Sequence, residues 1–367
     1  TGEYYLHLFS KHQPDLNWEN PEVRNAVYET LNWWLDRGVD GLRMDVINMI
    51  SKRLPLEDGP LRPGTPYGDG RAWFISGPRI HEYLQELHLQ VIAGRDDVLI
   101  TVGEMPDVTV EDAVLFTAPS RKEVDMVFQF EHVQLDHGPE GAFDVQPLQL
   151  ADLKASLATW QRALAETGWN SLYWGNHDQP RAVSRFGSDD PVHRFASAKA
   201  LATVLHLHRG TPYIYQGEEL GMTNYPFASL EDFRDIESLN YGRLAATSGR
   251  SDSAILDSLR ERSRDNARTP MQWNGEDGAG FSSGIAWLPI NPNHREINAA
   301  SQLEDPESVF HHYRRLVSLR HDLPVVAQGD FSLLLPDHEQ IYAFVRRFRN
   351  EELLVLANFS GQRAAVP

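Results

Sequence analysis

The chain has 367 residues, of which 41% are hydrophobic and 23% charged, and no apolar run approaches the roughly 18 residues that would suggest a membrane span. The formal net charge of -18 is spread without long acidic blocks, which argues against nucleic acid or an anionic membrane as a partner. The absence of cysteine excludes disulfides and thiolate metal sites. A globular protein with one large domain and a smaller one is expected.

From residue 20 onwards the sequence predicts alternating helices and strands. Asn20 is a good N-cap, Pro21 suits the first helical position, and apolar residues recur at helical spacing until Gly38 ends the helix. The next predicted elements are a strand at 39–46, a helix near 78–93, a strand at 98–102 that ends in Gly103-Glu104, a strand at 124–130, an amphipathic helix around 153–164, a strand at 171–174, a helix at 194–208 and a strand at 212–215. Five βα units in series fit a barrel or a doubly wound sheet equally well.

A long polar excursion follows at about 218–300, with a helical piece near 229–261. Loops of this length are usually functional or disordered, but this one contains the compact apolar segment 269–273, so a folded excursion is predicted. A helix at 307–321 comes next. Three apolar segments then predict short antiparallel strands of a β domain, at 331–335, 341–347 and 353–358.

Three acidic residues, Asp45, Glu104 and Asp178, each lie at the carboxyl end of a predicted parallel strand. Such strand ends converge on one mouth of the fold, so the carboxylates are expected near one another. Like charges raise one another's pKa, which leaves one carboxyl protonated and another ionised, as glycoside hydrolysis requires. A site for Mg²⁺ or Ca²⁺ is the competing interpretation, and Arg43 and His177 beside the acids argue against it. For Arg43 and Asp45 alone, an ion pair in an α/β core fits equally well.

Several segments resemble a known family in order and spacing. GLRMDVIN, TVGEMP and WGNHDQPRAVSRFG resemble three sequence motifs of the α-amylase superfamily of retaining glycosidases. Within that superfamily, QPDLNWENPEVR, FRDIESLN, RDNARTPMQW and LPDHEQIYAFVRR resemble the oligo-1,6-glucosidase and dextran glucosidase group of α-glucosidases. The resemblance covers nearly the whole chain.

The resemblance implies an α/β fold, a (β/α)8 TIM-type barrel of which this chain carries about the last five βα units, plus the start of a C-terminal antiparallel β domain. Residues 1–19 would end the small domain inserted after barrel strand 3, residues 20–322 would form strands 4 to 8 of the catalytic barrel, and residues 323–367 would belong to the C-terminal domain. The family's first motif, with an Asn-His pair, has no counterpart here. The family's Ca²⁺ loop also precedes the matched region, so no metal or cofactor is expected in this chain and a structural Ca²⁺ would belong to that earlier part.

The resemblance also assigns roles to the three acids. Asp45 matches the nucleophile, Glu104 the general acid/base and Asp178 the acid that stabilises the transition state. Attack by Asp45 while Glu104 protonates the glycosidic oxygen would give a covalent glucosyl enzyme, which water then releases with retention of configuration.

Further residues match substrate-binding positions of the family. Arg43 would keep the nucleophile ionised, and His177 matches a residue that hydrogen-bonds sugar hydroxyls, which requires the strand to end before it. Arg268 matches an arginine that helps hold the terminal glucose, although an ordinary structural salt bridge is the alternative. Glu237 and Asn240 would border the neighbouring sugar site, although polar residues on a helix usually form a solvated face.

Val46 directly follows the matched nucleophile. In the relatives that this chain resembles, valine at this position accompanies α-1,6 bonds and threonine accompanies α-1,4 bonds. The two side chains have nearly the same shape, but a site that bonds a sugar hydroxyl through threonine loses that partner when the side chain is apolar. The alternative is that Val46 only packs behind the nucleophile.

The resemblance therefore implies a cytoplasmic retaining α-glucosidase that releases α-1,6-linked glucose from the non-reducing ends of isomaltose, isomalto-oligosaccharides and panose. A sucrose isomerase or transglucosylase that uses the same covalent intermediate is the alternative, and a non-catalytic relative is a second one. The expected partner is the oligosaccharide substrate, without nucleic acid or membrane, and a monomer or dimer is expected.

Overall fold

The computed structural model describes residues 2–63, 66–95 and 100–366. The chain divides into two compact units. The first unit consists of Thr1–Leu61, Tyr67–Phe130 and Glu166–Trp169, and the second of Arg62–Pro66, Glu131–Ala165 and Asn170–Pro367. Within the described ranges, no helix is long and apolar enough to cross a membrane.

A three-stranded parallel sheet organises the first unit. The elements of this unit are α1 (Pro21–Leu35), β1 (Gly41–Met44), α2 (Arg71–Phe74), α3 (Ile80–Leu87), β2 (Ile100–Glu104), α4 (Val110–Thr117) and β3 (Met126–Phe128). The strand order is β1-β2-β3, with Met44 paired to Gly103 and Glu104 paired to Phe128. Because the strands are parallel, the residue after β1 and the last residue of β2 meet at the carboxyl edge of the sheet.

Helix α1 begins where the sequence predicts. The side-chain oxygen of Asn20 accepts a hydrogen bond of 3.0 Å from the Glu22 N–H, and Pro21 lies in the first turn, where its missing N–H costs nothing. On its inner side Tyr28 is buried, with its ring 6.4 Å from that of Trp18 in an edge-on arrangement. The predicted helix is confirmed, and it contributes apolar surface to the core of the first unit.

Two glycines allow the strands of this sheet to lie where they do. A Cβ atom on Gly41 would come within 2.6 Å of the Ile100 carbonyl oxygen on the adjacent strand. A Cβ atom on Gly103 would lie 2.7 Å from the Cε atom of Met105 and 3.0 Å from the Cγ2 atom of Ile47. The close approach of the neighbouring backbone therefore requires glycine at position 41, whereas at position 103 a Cβ atom would require the side chains of Met105 and Ile47 to move.

The second unit contains the remaining elements. They are β4 (His137–Gly138), β5 (Gly141–Val145), α5 (Leu150–Ala163), β6 (Ser171–Leu172), α6 (Ala182–Phe186), α7 (Arg194–His206), β7 (Thr211–Pro212), α8 (Ile236–Thr247), α9 (Asp252–Arg262), α10 (Ala299–Glu304), α11 (Val309–Asp322), α12 (Pro324–Gln328), β8 (Asp330–Leu334), β9 (Ile341–Phe348) and β10 (Glu351–Asn358). Strands β6 and β7 are a parallel pair, whereas β4 and β5 form an antiparallel pair. Helices α8 to α10 confirm that the long excursion is folded.

The last three strands form an antiparallel sheet in the order β10-β9-β8. The central strand β9 pairs on both sides, so that Val345 lies opposite Ser332 in β8 and Leu354 in β10. Residues 341–346 of this strand are all buried. The structure confirms the three predicted C-terminal strands. Each is an apolar segment long enough to pair over several residues.

Several predicted boundaries differ from the structure. Strand β1 is shorter than the predicted 39–46, because the backbone turns into the left-handed region at Val46. Strands β6 and β7 have two residues each, where 171–174 and 212–215 were expected. The start of the strand expected at 98–102 lies outside the described residues, and β2 extends to Glu104. The pairing of β4 with β5 has no counterpart among the predicted elements.

Candidate active site

Two of the predicted acids lie together in the first unit. Asp45 directly follows β1, and Glu104 is the last residue of the adjacent strand β2. Since Met44 pairs with Gly103, the register places the next residue of each chain at the same level of the sheet edge. The two carboxylates differ in exposure, because the side chain of Asp45 is 73% exposed and that of Glu104 only 7%.

Arg43 joins these two carboxylates. One Nη atom of its guanidinium donates a hydrogen bond to Asp45 Oδ1, and the other lies 2.6 Å from Glu104 Oε1. The planar guanidinium is suited to this because its donors point in fixed directions. The structure thus brings Arg43, Asp45 and Glu104 into one contact network.

The protonation of Glu104 is poised near neutrality. Burial raises its pKa most, the charge of Arg43 opposes that rise, and the hydrogen bond to Asp45 and the charge of Asp45 raise it further, to about 7. The N–H of Val46 donates to Glu104 Oε2 at 3.3 Å and also opposes the rise. A carboxyl group with such a pKa can both donate and accept a proton near neutral pH, which general acid/base catalysis requires.

Val46 has an unusual backbone conformation that the sequence does not reveal. Its φ of 37° and ψ of 42° fall in the left-handed region, where a β-branched residue is a genuine outlier. Such strain costs about 1–3 kcal/mol and persists only where surrounding contacts hold it. The hydrogen bond from its N–H to the Glu104 carboxylate is one such contact.

The third acid, Asp178, lies in the second unit, six residues after the end of β6. Its own N–H donates to the Asn176 side-chain oxygen at 2.8 Å, which fixes the local turn. The Nε2 atom of His177 lies 3.4 Å from Asp178 Oδ2. The strand has already ended before His177, as its expected role required.

Two arginines hold the Asp178 carboxylate. Arg268 Nη2 donates to Asp178 Oδ1 at 2.7 Å, and Arg264 Nη1 donates to the same oxygen at 3.3 Å. Arg268 also donates to the His177 carbonyl oxygen at 3.0 Å and to Asp235 Oδ1 at 3.0 Å. The candidate sugar-binding arginine is therefore part of an ion-pair network that includes the third acid.

Glu237 and Asn240, the two remaining candidate residues, have different surroundings in the structure. Glu237 joins this network, because its Oε2 accepts a hydrogen bond of 2.8 Å from Arg264 Nε. The Asn240 side-chain oxygen accepts instead from Arg243, at 2.7 Å, on an exposed part of α8. Arg264 is a site residue that sequence reasoning missed, although the segment RDNAR shows two arginines four positions apart.

Arg181 is a second residue that the sequence did not single out. It is buried, and its guanidinium donates to the Asn266 carbonyl oxygen at 3.0 Å, to the Gln216 carbonyl oxygen at 2.7 Å and to Thr269 Oγ1 at 3.2 Å. Burial lowers its pKa to about 10. Because Arg268 lies between two of these partners, Arg181 fixes the segment that presents Arg268.

The sequence matches the family described as "Alpha amylase, catalytic domain" over residues 1–329. The chain belongs to this family. The matched segment ends directly before β8, so the antiparallel sheet of β8, β9 and β10 follows the catalytic domain. In the α-amylase family that domain is a TIM barrel, and TIM-barrel enzymes bind substrate at the carboxyl ends of their strands. Asp45 and Glu104 occupy such positions on adjacent parallel strands.

Similar proteins include an oligo-1,6-glucosidase, a trehalose-6-phosphate hydrolase and an isomaltulose synthase. The oligo-1,6-glucosidase of Parageobacillus thermoglucosidasius is 54% identical over 361 residues, which cover 98% of this chain and 64% of that protein. The trehalose-6-phosphate hydrolase of Bacillus licheniformis is 45% identical with a TM-score of 0.90, covering 98% of this chain and 64% of that structure. A variant of the isomaltulose synthase of Erwinia rhapontici NX5, solved with D-glucose, is 40% identical with a TM-score of 0.90, covering 98% and 63%. The chain thus spans somewhat less than two thirds of the length of these α-amylase relatives.

Proposed function

We propose that this protein is a retaining α-glucosidase that hydrolyses α-1,6-linked glucose from the non-reducing ends of short oligosaccharides. The observation that carries the proposal is the pair formed by Glu104 and Asp45. Glu104 is buried with a pKa of about 7, Asp45 is exposed, and Arg43 contacts both. The 54% identity to an oligo-1,6-glucosidase supports the choice of linkage.

In the first step, Asp45 attacks the anomeric carbon and Glu104 donates its proton to the glycosidic oxygen. The exposed Asp45 carboxylate is available to a substrate, and Arg43 favours its ionised form. The buried Glu104 retains its proton at a pH where an ordinary glutamic acid would have lost it. The new bond joins the sugar to Asp45, and the protonated oxygen leaves with the rest of the substrate.

In the second step, Glu104 acts as the base. Once Asp45 is esterified it carries no charge, so one of the causes that raise the Glu104 pKa disappears. Glu104 gave up its proton in the first step, and the lower pKa keeps it ionised and available as a base. It accepts a proton from water while the water oxygen attacks the anomeric carbon, and the bond between that carbon and Asp45 breaks and restores the free carboxylate. The second inversion at this carbon restores the original configuration.

We also assign roles to Asp178, His177 and Arg268 of the second unit. Asp178 would stabilise the positive charge that develops on the sugar in the transition state, and His177 and Arg268 would bind hydroxyls of the terminal glucose. Two guanidinium groups fix the orientation of the Asp178 carboxylate, and a fixed carboxylate needs little reorganisation during the reaction. Glu237 and Asn240 would border the neighbouring sugar. Val46 would influence the choice of linkage. We place the enzyme in the cytoplasm and assign it no cofactor.

A sucrose isomerase or transglucosylase is the second candidate. The observation that favours it is the likeness to an isomaltulose synthase, at 40% identity and a TM-score of 0.90. Both candidates share the covalent intermediate and differ in its acceptor, which is water in one case and a sugar in the other.

Product analysis separates the candidates. The protein is incubated with isomaltose and, separately, with sucrose, while proton NMR follows the anomeric signals. We expect α-glucose to appear first from isomaltose, and we expect Asp45→Asn to lower kcat by roughly 10³-fold or more at nearly unchanged stability. Isomeric disaccharides formed from sucrose would support the second candidate. Turnover of neither sugar, or an Asp45→Asn variant that loses only a few fold, would contradict the proposal.

A further inference from the structure

The second unit contains a surface groove that the proposed reaction does not use. It has a volume of about 610 Å³ and is lined by side chains from α6, from the segment that contains Tyr225 and from the end of α9. This volume lies within the range of about 300–1,000 Å³ that is typical of small-molecule sites. The groove is therefore large enough for a short oligosaccharide.

The floor of the groove is rigid. Arg185 and Arg262 line it, and both donate to the buried carboxylate of Asp136, at distances of 2.6 to 2.9 Å. Burial alone would raise the pKa of Asp136, but the hydrogen bonds and charges of the two arginines outweigh it and hold the pKa below its ordinary value. Asn224 connects the segments that line the groove. Its side-chain amide donates to the Arg260 carbonyl oxygen at 3.2 Å, and its backbone N–H donates to Ser184 Oγ at 2.9 Å. The concave shape is thus formed before any ligand arrives.

The rim of the groove carries uncommitted polar groups. The Tyr225 hydroxyl and the Asp189 carboxylate make no hydrogen bond or ion pair within residues 2–63, 66–95 and 100–366. Glu261 lines the same groove, with its carboxylate near the guanidinium of Arg262. The rim therefore offers an aromatic face, a hydroxyl and carboxylate oxygens, which together suit a ligand that has both C–H faces and many hydroxyl donors.

The charges of the groove select among ligands. Three arginines, Arg185, Arg260 and Arg262, are balanced by three carboxylates, those of Asp136, Asp189 and Glu261. Arg260 is further committed, because its Nε donates to the Phe227 carbonyl oxygen at 2.6 Å. A phosphate or another strong anion needs surplus positive charge, which these residues do not supply. The balance favours a neutral ligand.

We infer that this groove is a second, non-catalytic binding site for a neutral oligosaccharide. One sugar ring lies against the Tyr225 ring, and its hydroxyls donate to Asp189 and Glu261. The site is distinct from the candidate active site, although the segment that carries Asp178 leads into α6 and Arg264 follows the end of α9. The groove is therefore formed by residues that are close in sequence to Asp178 and Arg264, but it takes no part in the proposed reaction.

The test measures binding while the active site is occupied. The purified protein is saturated with 1-deoxynojirimycin, an iminosugar that mimics glucose, and isomaltotriose is titrated by calorimetry and by ligand-observed NMR. We expect one remaining isomaltotriose site. Tyr225→Ala should weaken it about tenfold, through loss of the aromatic face, and Tyr225→Phe should weaken it less. Asp189→Asn provides a second variant on an exposed residue, where misfolding is not expected.

A control variant and a phosphorylated sugar test whether binding belongs to the groove. Glu304→Gln alters an exposed carboxylate of the same unit that does not line the groove, and it should leave isomaltotriose binding unchanged. Loss of all isomaltotriose binding in the presence of the iminosugar would overturn the inference, as would residual binding that the groove variants do not alter. Glucose 6-phosphate binding more tightly than isomaltotriose at this groove would overturn its neutral ligand class. Because the experiment measures binding, its result for the second site does not depend on whether the protein hydrolyses isomaltose.

Discussion

Glu104 and Asp45 carry the same functional group in different surroundings. Glu104 is 7% exposed and Asp45 is 73% exposed, and Arg43 contacts both. Burial penalises the charged form of Glu104 much more than that of a solvated carboxyl, so the shared guanidinium does not make the two groups equivalent. The proposed division of labour between an acid and a nucleophile would therefore follow from this difference in burial.

The raised pKa of Glu104 predicts a pH dependence of stability. An ordinary glutamic acid has a pKa of 4.5 and folded Glu104 one of about 7, so between these values only the folded state binds this proton. Stability from this group is therefore fully present below pH 4.5 and falls as pH rises towards 7. Between pH 5.5 and 8.0 the loss is about 2 kcal/mol. Glu104→Gln, which stays neutral, should lack this component.

Urea unfolding of both proteins at pH 5.5 and 8.0 measures this component. The stability of Glu104→Gln relative to the unaltered protein should improve by about 2 kcal/mol on going to the higher pH. Subtracting the two proteins at each pH removes the contributions of the titrating groups that do not interact with Glu104. An equal difference at both pH values would mean that Glu104 has no raised pKa in the folded state.

The valine at position 46 predicts a preference for α-1,6 over α-1,4 bonds. We expect isomaltose to be hydrolysed well and maltose poorly, and Val46→Thr to gain maltose activity worth roughly 1–3 kcal/mol of transition-state binding. Thr is β-branched like Val, so it should tolerate the φ of 37° equally badly, and the stability should change little. The ratio of kcat/KM for the two disaccharides is the measurement.

Val46→Gly is the matched control for that experiment. Glycine adopts the left-handed conformation without strain and adds no hydroxyl, so it tests the backbone separately from the side chain. Maltose activity gained by Thr and not by Gly would assign the effect to the hydroxyl. A preference of the unaltered enzyme for maltose, or the same ratio in the Thr variant, would refute a role of position 46 in linkage.

Among the elements, those specified by local signals were predictable. Helix α1 has an N-cap and an N-terminal proline, and β9 and β10 are long apolar segments, so each agrees closely with its prediction. Strands β6 and β7 have only two residues each, and their length depends on each other's pairing rather than on their own sequence. The connection between β4 and β5 carries a turn signal, because Pro and Gly surround Glu140. No apolar run of strand length precedes this turn, so the sequence does not predict the two strands.

The candidate site divides in the same way. The positions of Asp45 and Glu104 were predictable because β1 and β2 are recognisable strands, and the end of a strand is a local property. Asp178 lies six residues beyond β6, so its position depends on the turn that follows that short strand. Arg264 contacts Asp178 across 86 positions of sequence, and Arg181 contacts Asn266 across 85, so no local pattern reveals either contact. The left-handed Val46 is also a consequence of tertiary contacts, since valine alone disfavours that conformation.

A buried lysine joins helix α5 to the C-terminal sheet. Lys154 Nζ donates to the carbonyl oxygens of Leu335, His338 and Ile341, at 2.8, 2.7 and 3.3 Å. Lys154→Met fills the space but leaves these carbonyls without a donor, which should cost about 2–4 kcal/mol in unfolding free energy. Thermal unfolding measures the loss.

A half-buried lysine near the surface provides the comparison for this variant. Lys199 on α7 donates to the Glu307 carbonyl oxygen at the surface, where water can replace it. Lys199→Met should therefore change the unfolding free energy by no more than about 0.5 kcal/mol. Equal losses from both substitutions would show that the three carbonyl contacts of Lys154 contribute nothing beyond those of a surface lysine.

The chain is strongly negative, and the arginines of the candidate site are already paired. The formal net charge of the chain is -18. In the described part of the two networks, Arg43 contacts Asp45 and Glu104, while Arg264 and Arg268 share Asp178 and each contact one further carboxylate. These three guanidinium groups are therefore committed, and binding of a phosphate by any one of them would require its ion pair to be broken.

This charge distribution predicts discrimination against phosphorylated disaccharides, even though a trehalose-6-phosphate hydrolase is 45% identical to the chain. We expect kcat/KM for trehalose 6-phosphate to be no higher than for trehalose, its neutral counterpart, and at least tenfold below that for isomaltose. Repulsion from a negative protein is screened over about 8 Å at physiological ionic strength, so added NaCl should raise the rate with the phosphorylated sugar and leave the isomaltose rate nearly unchanged. Initial rates from low to high salt with all three sugars provide the measurement. A preference for trehalose 6-phosphate that weakens with salt would reveal a cationic phosphate site and would replace isomaltose as the substrate.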